Sequence, residues 1–97
     1  MKPLWKLPSG QFAGWLDEKN LRVYNSDGTN VGITLGNVIY YLSGLYIGEF
    51  CNNDWVGRKR GVSYPLQGSI SPFVGIAMSP YSNRVGISLS GWDEPDF

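Results

Sequence analysis

Glycine and proline follow one another so closely in this chain that a helix of average length has almost nowhere to form. The longest segment free of both spans 13 residues, 15–27, and the next spans eight, 49–56. Inside a helix glycine costs ~1 kcal/mol and proline ~3 kcal/mol. Segment 15–27 carries polar residues at 17–20 between two apolar ends, a pattern typical of strand, turn and strand. Val, Ile, Thr, Tyr, Trp and Phe fill the remaining segments and are favoured in strands. We therefore predict an all-β protein.

An internal repeat organises the first sixty residues. Residues 24–32 align with residues 40–48, residues 9–14 fit the same frame, and residues 53–57 form a shortened copy. Each unit is an apolar or aromatic strand, a tight turn, a short second strand, and a small aliphatic residue followed by glycine. The repeat covers about residues 4–60. Residues 61–97 are expected to be a charge-poor C-terminal extension within the same single domain, 1–97.

Two kinds of glycine define the unit. The turn glycines Gly28 and Gly44 supply the positive φ that tight hairpins require. The second glycine follows Ala, Val or Ile inside a strand, where a missing side chain indicates a bulge, a bend or a close backbone approach. This aliphatic–glycine pair recurs in the extension without a hairpin turn before it. The glycines that we expect to be structural are Gly14, Gly28, Gly32, Gly44, Gly48, Gly57, Gly75 and Gly86.

The stretch VYNSDGTNVGITLGNVIYYLSGLYIGEF resembles the bacterial 4-fold β-flower family, whose members repeat tyrosine, turn, glycine and an aliphatic–glycine pair about four times. The resemblance covers about residues 4–60. It implies a compact, pseudo-symmetric all-β domain, a β-flower-like assembly of repeated bent hairpins, and it brings no assigned activity. SH3-like and PRC-barrel-like small barrels use similar hairpins, and they are the alternative fold.

The charge balance and the missing histidine restrict the function. Eight basic and eight acidic residues give zero net charge, which makes nucleic acid an unfavourable partner because phosphate neutralisation supplies most of such affinity. One cysteine and no histidine exclude an internal disulfide, a zinc site of four nitrogen and sulfur ligands, and any nucleophile activated by imidazole. We expect a non-enzymatic protein without cofactor or metal. Without a signal peptide or a membrane-spanning stretch, it is expected to be cytoplasmic with no membrane contact.

Residues 61–92 contain a single charged side chain, Arg84. The segment is interpreted either as core strand with polar loops, or as a face towards another subunit, because interface centres are poor in charge and rich in aromatics. The acidic residues that follow, Asp93, Glu94 and Asp96, could fold back onto the basic run 58–60 of the same chain or onto that of a neighbouring subunit. We predict an interaction or assembly module that self-associates through this segment, with a homo-oligomer or a protein partner.

A second function is suggested by a basic run beside aromatic residues. The candidate binding residues are Trp55, Arg58, Lys59, Arg60 and Tyr64. Such a run can stack bases and hold phosphates, which predicts a binding module for an anionic ligand or nucleic acid. The simpler interpretation is a charged edge that blocks strand pairing.

The other chemically suggestive residues have structural interpretations, and we expect no catalytic residue. Asp17 and Glu18 are predicted to lie in a polar turn, because neighbours in a strand point to opposite faces. The Asn25, Asp27 and Gly28 group lacks the remaining ligands of a calcium loop and is expected to be a turn. Cys51 is expected to be a buried free thiol. Glu49 and Asp54 have no partner at a recognisable spacing.

Overall fold

The computed structural model describes residues 1–97, and all of its regular structure is β. The strands are β1 (Lys2–Lys6), β2 (Phe12–Asp17), β3 (Arg22–Asn25), β4 (Asn30–Leu35), β5 (Val38–Tyr41), β6 (Tyr46–Phe50), β7 (Trp55–Lys59) and β8 (Trp92–Asp93). Consecutive strands from β1 to β7 pair antiparallel, and β1 also pairs with β7 in parallel. These seven strands close a small barrel. The prediction of an all-β fold is confirmed.

Each of the three hairpins, β1–β2, β3–β4 and β5–β6, has a bulge at the same place. The register shifts where a barrel strand meets Gly14, Gly32 and Gly48. The extra, unpaired residues are Ala13, Val31 and Ile47. Each extra residue is therefore the aliphatic member of an aliphatic–glycine pair, as the sequence predicted.

The bulge glycines allow one hairpin to approach the next. A Cβ on Gly14 would overlap the carbonyl oxygen of Tyr24, and a Cβ on Gly32 would overlap that of Tyr40. A Cβ on Gly48 would lie 2.6 Å from the carbonyl oxygen of Gly57. Each of these oxygens belongs to the strand that follows the hairpin. The bulge glycine thus joins neighbouring units around the barrel.

Alternating side chains give the barrel an aliphatic interior and an aromatic outer surface. Successive residues of a strand point to opposite faces, and each odd strand from β1 to β5 places an aliphatic residue before an aromatic one. The interior cluster is Leu4, Ala13, Leu16, Val23, Ile39, Ile47 and Val56. Two outer clusters contain Trp5, Phe12, Trp15 and Tyr24, and Ile33, Tyr40 and Tyr46.

The chain after β7 encircles the barrel. Residues 62–89 contain no regular secondary structure, and we call them the belt. Backbone N–H groups of Gln67, Ile76 and Arg84 donate to the carbonyl oxygens of Gly44, Gly28 and Gly10, at 2.9, 2.8 and 2.7 Å. Those three glycines lie in the hairpin turns of β5–β6, β3–β4 and β1–β2. The belt therefore passes the three hairpins in reverse order, at the end of the barrel where they turn.

A short ladder brings the belt back to its starting strand. In β8, Trp92 pairs with Lys59 and Asp93 pairs with Arg58 of β7. Arg60 forms an ion pair with Asp93 at 2.8 Å. The predicted return of the acidic tail onto the basic run is confirmed for Asp93, whereas Glu94 accepts the backbone N–H of Ser9. We call the β7–β8 contact, with its Arg60–Asp93 pair, the clasp.

The interpretation of the charge-poor segment as core strand is wrong. The belt forms no strand, and most of its large apolar side chains are exposed. A segment that encircles a barrel has protein on its inner side alone, so every side chain that points outwards meets solvent.

Candidate interaction surface

The outward side of the belt is apolar and almost uncharged. Val74 and Val85, the aliphatic members of its two aliphatic–glycine pairs, are each 90% exposed. Nine of the molecule's 13 exposed large hydrophobic residues lie in the belt: Leu66, Ile70, Phe73, Val74, Met78, Tyr81, Val85, Ile87 and Leu89. Two of them also contact the barrel with their rings, Phe73 at Arg22 and Tyr81 at Phe12. A band of this composition, poor in charge, has the character of an interface centre.

The inward side of the belt rests on the outer aromatic clusters of the barrel. The Tyr81 ring stacks on Phe12 with centroids 5.8 Å apart and meets the edge of Trp5 at 5.9 Å. On the other side of the barrel, Tyr64 contacts Tyr46 with centroids 5.0 Å apart. The belt therefore packs against the aromatic rings that face out of the barrel.

Hydrogen bonds of side chains also join the belt to the barrel. The backbone N–H of Phe12 donates to Asn83 Oδ1 at 2.8 Å, and that of Phe73 donates to Asn30 Oδ1 at 3.0 Å. The Trp5 indole N–H donates to the carbonyl oxygen of Ser82 at 2.9 Å. Asn30 is itself buried and also donates to two backbone oxygens of the barrel. Barrel and belt are thus joined by specific single hydrogen bonds rather than by a ladder.

Arg84, the charged residue of the belt, is the point where these contacts converge. Its guanidinium pairs with Asp54 at 2.8 Å. It lies over the rings of Trp5 and Trp55, at 3.5 and 5.5 Å from their centroids. Trp5 and Trp55 face each other across the parallel β1–β7 contact, which has two residue pairs. Arg84 therefore joins the belt to the contact that closes the barrel, and its charge is balanced within the chain. We call the Arg84–Asp54 pair the clamp.

The predicted basic and aromatic patch is divided between several contacts. Trp55 lies at the β1–β7 contact near Arg84, whereas the Arg58 guanidinium lies 4.9 Å from the Tyr46 ring centroid. Lys59 lies over Trp92 at 5.5 Å. Arg60 hydrogen-bonds Asp93 and lowers the pKa of that carboxyl group.

The structure brings together only part of the patch. Arg58 and the belt residue Tyr64 both contact Tyr46. Arg58, Lys59 and Arg60 are all exposed at the end of β7.

A buried carboxylate lies between two tyrosines, a grouping that sequence spacing did not reveal. Glu49 is buried, and Tyr46 Oη donates to its Oε1 at 3.4 Å. Burial raises the pKa of both Tyr46 and Tyr64, and the nearby Glu49 adds to each shift. Residues three apart in a regular strand point to opposite faces, but the bulge at Ile47 returns Glu49 to the face of Tyr46. The aliphatic–glycine pair between them was the available signal.

The polar residues interpreted as turns do form turns. Asp17 Oδ1 accepts the backbone N–H groups of Lys19 and Asn20. Asn25 Oδ1 accepts those of Asp27 and Thr29, and Gly28 has the expected positive φ of 83°. Both predictions of a structural turn are confirmed.

A cavity of about 330 Å³ lies at the end of the barrel opposite the belt. Its lining is Lys2, Leu16, Asn37, Phe50, Cys51, Asn52 and Asn53. The prediction of a buried thiol is wrong, because Cys51 is half-buried at this cavity. Three asparagines and Lys2 give the cavity hydrogen-bonding groups and one positive charge. Its lining contains no pair of carboxylates. No group of three or more His, Cys, Asp or Glu side chains in the structure could hold a metal ion.

Comparisons of the chain with protein-family models, with curated proteins and with solved structures give no match. The structure contains no helix that is long and apolar enough to cross a membrane. The fold and the geometry of the belt are therefore the basis for a functional proposal.

Proposed function

We propose that this protein is an assembly module whose belt associates with a second copy of the chain. The observation that carries the proposal is the exposure of Val74 and Val85, each 90% accessible, in a 28-residue band with one charged residue. Burying such side chains against a partner is favourable by about 25 cal/mol per Å² of apolar surface removed from water.

Charge favours a second copy as the partner. The chain has zero net charge, so two copies approach without long-range repulsion. Arg84 is already paired with Asp54, so the charge that the belt itself carries is balanced before two belts meet. A partner with a strongly charged surface would have to desolvate its charges against this apolar band, which is costly.

Contact between the outward sides of two belts is expected to occur through side chains rather than through a new ladder. Pro65, Pro72 and Pro80 divide the belt into short segments, and proline cannot donate a ladder hydrogen bond. The same prolines limit open-ended strand pairing, a risk for exposed extended chains. The expected product is therefore a discrete small oligomer.

Sedimentation equilibrium from low to high micromolar concentration tests this proposal. The double variant Val74→Ser and Val85→Ser should weaken self-association by about tenfold or more, because each change removes ~1 kcal/mol of apolar burial. The matched control is Leu21→Ser and Leu35→Ser, two leucines 51% and 46% exposed outside the belt, which should leave association unchanged. A strict monomer at high micromolar concentration would contradict the proposal, as would an oligomer weakened by the control alone.

The second candidate is binding of an anionic ligand at the end of β7. Three consecutive cations, Arg58, Lys59 and Arg60, are exposed there, and this exposure is what favours it. Replacing all three by serine should abolish retention on heparin and binding of single-stranded DNA at low salt. The control removes the same charge elsewhere, by Lys2→Ser, Lys6→Ser and Lys19→Ser. Equal loss in both variants, or no loss in the first, would exclude a specific site.

A further inference from the structure

We propose that two copies of the chain associate by exchanging belts, so that residues 62–97 of each copy close around the barrel of the other. This inference rests on the self-association that the proposed function requires and adds a second joint to it. Exchange uses the inward contacts of each belt, while the outward Val74 and Val85 are still free to meet. Domain swapping is a route to dimers that keeps the contacts of the closed monomer and repeats them between chains.

The contacts of the belt are of a kind that a second barrel can supply. Both ion pairs of the molecule, Arg84 with Asp54 and Arg60 with Asp93, join the barrel to residues after the belt begins. The backbone bonds from Gln67, Ile76 and Arg84 likewise end on turn glycines of the barrel. An identical second barrel presents the same acceptors, so the exchange loses none of these interactions.

The barrel does not depend on the belt for its strand pairing. Strands β1–β7 pair only with one another around the closed sheet, and the C-terminal segment adds only β8 at the clasp. A barrel whose belt has left would expose the aromatic rings of Trp5, Phe12 and Tyr24, now 5%, 6% and 2% accessible. Exposure of these rings is unfavourable, and a belt from either chain would cover them.

A hinge precedes the belt. Gly61 has a φ of 77°, and no atom outside its chain neighbours lies within 4 Å of the position of a Cβ. It forms a turn with Arg60 directly after β7. Opening this turn would redirect residues 62–97 as a unit without disturbing a packed side chain at the glycine. Thirty-six residues reach on the order of 100 Å when extended, whereas the widest extent of the molecule is 34 Å.

A charge-reversal pair tests the exchange directly. Asp54→Arg places two cations at the clamp, and Arg84→Asp places two anions there, whether the belt closes on its own barrel or on that of an identical copy. When the two variants are mixed in denaturant and refolded together, exchange between unlike chains restores an opposite-charge pair at both clamps. Native mass spectrometry with one variant isotopically labelled should then show heterodimers well above the half expected from random pairing.

A second reversal guards against a clamp variant that fails to fold. Arg60→Asp and Asp93→Arg reverse the clasp, where the two side chains are 67% and 51% exposed, so neither change threatens the core. The mixed clasp variants should also show a heterodimer excess, smaller than that of the clamp because exposed ion pairs contribute little.

The outcomes separate the inference from the function on which it rests. A heterodimer excess in either mixture supports exchange. Dimers in the unmodified protein with heterodimers at or below half in both mixtures would overturn exchange and leave association through outer faces. An unmodified protein that stays monomeric at high micromolar concentration would overturn the proposed function as well.

Discussion

The barrel and the belt use the same two-residue element with opposite results. In the barrel, Ile47 precedes Gly48 and is fully buried, whereas in the belt Val85 precedes Gly86 and is 90% exposed. Both glycines lie close to a carbonyl oxygen. A Cβ on Gly48 would lie 2.6 Å from the carbonyl oxygen of Gly57. A Cβ on Gly86 would lie 2.5 Å from the carbonyl oxygen of Pro8. The glycine therefore determines a close backbone approach in both regions. Whether its neighbour is buried depends on a second layer of protein, which the barrel has and the belt lacks.

The two regions also differ in how they are held. The barrel has continuous ladders and a buried aliphatic interior, while the belt has isolated hydrogen bonds, aromatic contacts and one arginine held in an ion pair. Continuous contacts form cooperatively, whereas a segment held by separate contacts opens at lower free energy. We therefore expect the belt to be the less stable region.

Substituting matched glycines should give the largest difference between the two regions. Neither Gly32 nor Gly75 has a positive φ, so alanine tests space alone. Gly32→Ala should lower the free energy of unfolding by about 3 kcal/mol, because the new Cβ overlaps a backbone carbonyl in the ladder. Gly75→Ala should cost about 1 kcal/mol or less, because its Cβ would lie 3.0 Å from the Gly28 oxygen and the belt can shift. Urea denaturation measures both; equal losses would contradict the comparison.

Truncating a core residue and a belt residue should give the next largest contrast. Ile39 is fully buried, and Ile39→Ala should cost about 3 kcal/mol. Val85→Ala should change the free energy of unfolding by less than ~0.5 kcal/mol, as expected at an exposed site, while weakening self-association. A large loss of monomer stability in the Val85 variant would show that the belt shares the core.

Removing the clamp should loosen the belt more than the barrel. Arg84→Ala deletes a partly exposed ion pair and a cation–π contact, which together contribute about 1–2 kcal/mol. Limited proteolysis should cut within residues 62–89 faster, while the strands of the barrel stay protected. Arg60→Ala, which removes the exposed clasp pair, is the matched control and should have little effect. Equal protease sensitivity of the two variants would argue against a special role for Arg84.

Alkaline pH should release the C-terminal end of the chain, and this is the smallest of the effects that we predict. Tyr41 of β5 donates its hydroxyl hydrogen to the backbone oxygen of Asp96. Burial, and then the contact with Asp96, raise the pKa of Tyr41 from 10.0 to about 12. The folded state thus favours the neutral phenol, so this stabilisation is complete below pH 10 and is lost as pH rises towards 12. Ultraviolet titration of phenolate should detect a late-ionising tyrosine that disappears in Tyr41→Phe.

The repeat made the barrel largely predictable, because its signals are local. Asp27 and Gly28 determine a turn, and Val31 and Gly32 determine a bulge, whatever lies around them. The belt was not predictable as an encircling segment, because its contacts join residues such as Asn83 and Phe12 that are 71 positions apart. Its poverty in charge was visible in the sequence, and the interpretation of that segment as an interface stays a prediction.

The predicted binding residues illustrate the same limit. Arg58, Lys59 and Arg60 are adjacent in sequence, but each meets a different partner. The side chains of adjacent strand residues point to opposite faces. Arg58 therefore contacts β6, whereas Lys59 and Arg60 contact residues of the clasp. Asp54, which had no recognisable partner in the sequence, pairs with Arg84 thirty positions away because the belt passes over it.

The parallel contact between β1 and β7 has a consequence for the route of the chain. A barrel of antiparallel neighbours closes in parallel only when its strand count is odd, and an odd count makes the chain enter at one rim and leave at the other. β7 therefore delivers the chain to the rim that carries Gly10, Gly28 and Gly44. One strand more would have returned the chain to the opposite rim, next to the cavity and away from the turn glycines. The odd number of barrel strands therefore brings the chain to the rim where a belt can form.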